Sequence, residues 1–114
     1  MTRPSVDVLR GTLDLMILRS LQRGSQHGYG ITRWIREMSG EVLQIEDGAL
    51  YRALHRLVHR GWIGAEWGTS ENNRRAKYYS LTADGRRELE RERRTWERFS
   101  GALSKLLDSG EAAT

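Results

Sequence analysis

The stretch Asp47-Gly48-Ala49-Leu50-Tyr51-Arg52-Ala53-Leu54-His55-Arg56-Leu57-Val58-His59-Arg60-Gly61 decides how the rest of the chain is read. At about 100° per residue, Leu50, Ala53, Leu54, Leu57 and Val58 fall on one stripe of a helix. Tyr51, Arg52, His55, Arg56, His59 and Arg60 take the other half of the wheel, and that half holds no acid. Asp47 stands at the positive N-terminal end, and Gly61 is placed to stop the helix. A helix with an acid-free, basic and aromatic wet face suits the groove of a duplex. The bland alternative is a solvated surface, because charged helix faces are ordinary.

The residues after the helix favour the first reading. Trp62 to Trp67 and Lys77 to Leu81 are rich in aromatic and β-branched residues and read as a hairpin. Between them Gly68 to Ala76 forms a long polar tip carrying Arg74 and Arg75. Thr82 is placed to cap a last helix running to about Leu107, roughly 37 Å long. Leu89, Trp96, Phe99, Leu103 and Leu106 fit a heptad seam along it, broken once by Glu92.

Two further helices precede the stretch. From about Gly11 to Gln22, with Thr12 able to cap, Leu13, Met16, Ile17 and Leu21 line one face while Leu15 and Leu18 lie off it. A helix apolar on nearly every side must be buried on nearly every side, which suggests a second chain. After a break at Gly24–Gly28, residues 29–38 place Ile31, Trp34, Ile35 and Met38 inward and Tyr29, Arg33 and Arg36 outward. The expected fold is mainly α with a small β-hairpin: a winged helix-turn-helix plus a long C-terminal dimerisation helix. Its parts are a flexible leader (1–8), a winged-helix DNA-binding domain (9–82), the dimerisation helix (83–108) and a disordered tail (109–114).

Composition agrees. A chain of 114 residues makes one domain, and 24 Leu, Ile, Val and Phe keep it out of the disordered class. Residues 1–82 carry 12 basic and 8 acidic side chains, while residues 83–114 carry 7 of each, so the net +4 belongs to the first part. That is where a polyanion is expected to bind. The longest apolar run, Leu15 to Leu18, is far too short for a membrane span, so no membrane role is expected. Cysteine is absent, which excludes disulfides and thiol chemistry and suits a reducing cytoplasm. His55 and His59 are spaced i, i+4, but Arg56 follows His55 where a zinc hydrolase needs Glu. With no phosphate loop, nucleophile elbow or paired carboxylates either, neither a metal, a cofactor nor an enzyme is expected.

The chain resembles the PadR family of bacterial transcriptional regulators. The matching segments are Leu9-Arg10-Gly11-Thr12-Leu13-Asp14, His27-Gly28-Tyr29, Gly48 to Leu57, Gly61-Trp62-Ile63 and Asn73 to Thr82. They come in the family's order across residues 9–90, and the single C-terminal helix resembles the family's short branch. Glu46-Asp47 stands where the family often has Ser-Pro, and Arg52 where it often has Pro. The two acids are expected to act as a cap turned aside from phosphate.

The resemblance implies a homodimeric, sequence-specific repressor on a pseudo-palindromic double-stranded operator, in the bacterial cytoplasm and associated with the nucleoid. Its third helix would read the major groove with the wing alongside. Expected DNA contacts are Ala49, Tyr51, Arg52, His55 and Arg56, then Arg74, Arg75 and Lys77 on the wing, and Tyr29 and Arg33 on the second helix. The expected dimer interface is Leu15, Leu18, Leu89, Trp96, Phe99, Leu103 and Leu106. Trp96 and Phe99 are also candidates for binding a small aromatic effector, since short PadR-like regulators hold flat compounds between interface aromatics. The bland account has both rings filling the dimer core. A different function remains open at this point: a winged-helix adaptor for proteins, without specific DNA reading.

Overall fold

The computed structural model describes residues 6–110, with side chains from residue 11 onward. In chain order the elements are α1 (Val6–Leu21), β1 (Gln26–His27), α2 (Gly28–Met38), α3 (Asp47–His59), β2 (Ile63–Thr69), β3 (Arg75–Leu81) and α4 (Ala83–Leu107). Helix α1 begins inside the expected leader, whose residues 1–5 lie outside the described ones, as do 111–114 of the expected tail.

Helix α1 is the centre of the molecule, touching α2, α3, β3 and α4. Its Leu13, Ile17, Leu18 and Leu21 are buried with Ile31 and Ile35 of α2 and with Leu50, Ala53, Leu54 and Leu57 of α3. The all-round apolar character of α1 is therefore met largely within one chain. Leu18 is fully buried there, and so is Leu89, where the first part of α4 lies on α1. Neither side chain is free to form the dimer contact expected of it. Val58, expected in the core stripe, is 37% exposed, whereas Leu57 beside it is buried.

The sheet has the order β1-β3-β2, all antiparallel. Ile63 pairs with Leu81 and Thr69 with Arg75, so the ladder runs further toward the tip than expected and leaves only residues 70–74 as the turn. Asn73 takes the left-handed conformation there, which Asn tolerates well. The short strand β1 was not legible, because two residues show no periodicity. It pairs Gln26 with Tyr79 and His27 with Tyr78, fastening the start of α2 to the wing.

Two caps set the helix directions. His27 caps α2, its Nδ1 accepting the Gly30 N–H at 3.0 Å. Thr82 caps α4 as expected: Oγ1 accepts the Gly85 N–H at 3.0 Å and donates to the Gly61 carbonyl at 2.7 Å. At α3 the expectation fails, since Glu46 occupies the cap position but its side chain takes no backbone N–H. The acids there act through the helix dipole alone.

The C-terminal part of α4 is exposed, and the molecule measures 61 × 29 × 22 Å. Trp96, Phe99, Leu103, Leu106 and Leu107 on this arm are all exposed. Among the described residues no helix is long and apolar enough to cross a membrane.

Candidate nucleic-acid interface

A groove of about 1050 Å³ opens between the first turns of α2, Tyr51 of α3 and the inner face of the wing. Strand alternation builds the wing side: Arg75, Lys77 and Tyr79 follow one another on one face of β3. Tyr79 pairs with Ala65 and Lys77 with Trp67, so Trp67 shares that face. Tyr79 is buried at the groove floor, and burial, with Tyr51 nearby, pushes its phenol above the ordinary value. Across the groove, Gly28 lets α2 approach α3. A Cβ there would lie 2.7 Å from the Tyr51 hydroxyl.

Five cations line this groove: Arg23, Arg33, Arg74, Arg75 and Lys77. Its acids are Glu37, bound by Arg33 at 2.8 Å, and Glu71 in the wing turn. Tyr29, Tyr51 and Trp67 are each more than half exposed along it. A concave surface of cations and amphipathic rings has the chemistry of a phosphate backbone site.

Six of the ten expected DNA contacts meet here: Tyr29, Arg33, Tyr51, Arg74, Arg75 and Lys77. Arg52 and His55 are exposed on α3 outside the groove, and Ala49 is half-buried against the core. Arg56 is a correction. Its guanidinium is ion-paired to Asp14 of α1, its side chain is only 26% exposed, and its Nε is buried without a hydrogen-bond partner. It fastens α3 to α1 instead of pointing outward. Sequence reasoning missed Arg23, Gln26, His27 and Trp67; the signals were His27's place in a matching segment and Trp67's place opposite Lys77 in the hairpin.

Asp14 belongs to a cluster of charges where α1, α3 and α4 meet. Glu88 is buried and accepts from Arg91 at 2.6 Å. Burial first, then a hydrogen bond with Glu88 and repulsion from Glu88 and Asp14, push the Glu92 carboxyl up to about 6, against the opposing pull of Arg91.

A second, apolar cavity of about 440 Å³ lies between α1, α2 and α4. Leu15, Met16, Trp34, Met38, Leu43 and Trp96 line it, with Arg19, Arg93 and Glu97 also in its wall. The Trp96 and Phe99 rings stand 5.7 Å apart and tilted by 38°. Trp34, which sequence reasoning placed in the core, is thus a second indole in this wall. Among the described residues no three His, Asp or Glu side chains cluster to hold a metal ion.

The family model of the transcriptional regulator PadR-like family matches residues 17–91. A transcriptional regulator from Clostridium thermocellum, Cth-833, superposes with a TM-score of 0.79 at 33% identity, over 90% of this chain and 97% of that one. Uncharacterized protein X of Lysinibacillus sphaericus is 31% identical over 92% of this chain and 96% of its own length. The negative transcriptional regulator PadR of Bacillus subtilis is 30% identical over 68% of this chain, which spans 42% of that protein.

Proposed function

The chain belongs to the PadR-like family of transcriptional regulators, and from that premise we propose that it is a dimeric, sequence-specific repressor responding to an aromatic small molecule. The observation that carries the DNA-binding part is the single basic groove in which Tyr29, Arg33, Tyr51, Arg74, Arg75 and Lys77 meet from α2, α3 and the wing. In this reading α3 enters the major groove, with Arg52 and His55 toward base edges. The groove cations hold the flanking phosphates, and Ala49 keeps α3 close to the body. Such a protein works in the bacterial cytoplasm, at the nucleoid. The designation of the B. subtilis relative as a negative regulator favours repression.

The exposed stripe Trp96, Phe99, Leu103 and Leu106, which one chain leaves uncovered, supports dimerisation. Pairing two such arms, with Leu15 of α1 at their flank, removes apolar surface from water and sets two reading helices about one turn of DNA apart. A two-fold axis beside α4 brings Trp96 of both chains to one slot, where a planar ligand fits between rings. Filling the slot changes the spacing of the readers and lowers operator affinity, a coupling typically of about 1–3 kcal/mol.

Footprinting on the promoters of the protein's own gene and its neighbours tests the function. The expected result is a protected pseudo-palindrome whose affinity falls steeply with salt while the sequence preference persists. Equal affinity for every duplex refutes specific regulation and favours the adaptor. For the effector, a planar aromatic cation should quench the parent saturably and weaken operator binding, and Trp96→Phe should lose both effects. Identical curves in both proteins leave Trp96 as interface filling.

A further inference from the structure

Trp67 is the largest apolar side chain on the wing and is 57% exposed, away from the core. Tyr79, on the same face from β3, is by contrast buried. Charge surrounds the Trp67 ring. The Arg75 guanidinium lies 4.5 Å from the ring centroid and the Lys77 ammonium 5.8 Å. Both cations, and the ring itself, line the basic groove. Lys77 is the direct antiparallel partner of Trp67, and Arg75 sits one pleat further along on the same face, so the register brings both to one indole.

We propose that Trp67 is a positioning residue for DNA binding, holding Arg75 and Lys77 over its ring so that both face the phosphates of one strand. This rests on the reading of the groove as a DNA interface. An unattached Arg or Lys on a hairpin samples many rotamers and must be ordered when it meets phosphate. Stacking on the indole lowers that cost before DNA arrives, because the ring's negative face attracts each cation while leaving its N–H donors free. Glu66, beside Trp67 on β2, pairs with Tyr78 and so belongs to the opposite face, and Glu71 lies in the turn, so no strand carboxylate on this face competes for either side chain. The selectivity this gives is for polyanionic backbone and not for base sequence.

The test is a double-mutant cycle read against a fluorescein-labelled duplex of mixed sequence, which isolates phosphate contacts from operator recognition. Trp67→Leu keeps an apolar strand residue but removes the π face. It should weaken binding about fivefold to tenfold and flatten the dependence of log affinity on log salt by about one phosphate contact. In an Arg75→Ala/Lys77→Ala background the same change should cost less than about twofold, since nothing is left to position. Trp67→Phe, which keeps a ring, should recover most of the loss, and thermal melting of each variant checks that the wing stays folded. Equal costs of Trp67→Leu in both backgrounds, or parent-like affinity and salt slope in the single variant, overturn the proposal. In the latter case a loss on Arg75→Ala/Lys77→Ala still upholds the groove as the DNA site. A parent protein whose binding to this duplex has no salt dependence refutes the groove reading itself.

Discussion

Replacing Arg56 separates a structural fastener from a base reader. Arg56→Met keeps a long apolar stem but removes the charge that meets Asp14. The carboxylate stays behind with 15% of its side chain exposed, facing Glu92 and losing its cationic partner on α3. Breaking a fully buried ion pair costs about 3–5 kcal/mol, while an exposed pair is worth under about 1 kcal/mol. The residual exposures of 26% and 15% put this pair between those limits, nearer the buried one. Relief of the buried, unpartnered Nε offsets part of the loss. The expected net is about 2 kcal/mol, or roughly 8 °C in melting temperature for a domain of this size. Far-UV circular dichroism melts measure it, and Asp14→Leu added to Arg56→Met should return most of the loss, since apolar replacement of both partners is nearly neutral. At a temperature where both proteins are folded, DNA affinity should change less than about threefold. Arg52→Ala, exposed on the same helix, should do the reverse, costing about 1–3 kcal/mol in binding with little change in melting. An Arg56→Met protein that melts like the parent but loses preference at one base position would refute the reasoning and restore Arg56 to the groove.

Three other perturbations are as specific. Gly85→Ala would put a methyl 1.9 Å from the Trp62 carbonyl oxygen, which already accepts the Thr82 N–H at 3.1 Å and cannot retreat freely. A loss of about 3 kcal/mol is expected by denaturant unfolding, and parent-like stability would mean that α4 docks differently. Because the Glu92 carboxyl is raised from 4.5 to about 6, folding takes up a proton between those values, and stability should fall as pH rises through them. With solvent screening of this partly exposed group the fall is about 1 kcal/mol, and Glu92→Gln should flatten it; an unchanged pH profile counts against the cluster. Leu103→Asp with Leu106→Asp should leave a folded monomer by sedimentation, because a dimer seam would have to bury two unpaired carboxylates. A parent that is monomeric at micromolar concentration refutes dimerisation through this stripe.

Much of the fold was written in local patterns. The stripe Leu50, Ala53, Leu54 and Leu57 and the cap at Thr82 depend on residues within one or two turns, so helical periodicity and side-chain reach suffice to read them. The candidate site was legible in part for the same reason. Tyr51, Arg75 and Lys77 are marked by position on a helix or strand, whereas Arg23 and His27 sit in a break with no period to read.

The amino-acid sequence by itself determined the helices, the hairpin, the placement of basic charge and the family motifs, because propensity, capping and alternation act between near neighbours in the chain. Tertiary structure alone decided that Leu18 and Leu89 belong to the chain's own core, that Arg56 answers Asp14, and that Trp67 stands in one groove with Tyr29. Each of those facts is a distance between residues far apart in sequence. Such distances are set by how α1 is surrounded on all sides, and a wheel drawn for one helix shows which face is apolar but not which neighbour covers it.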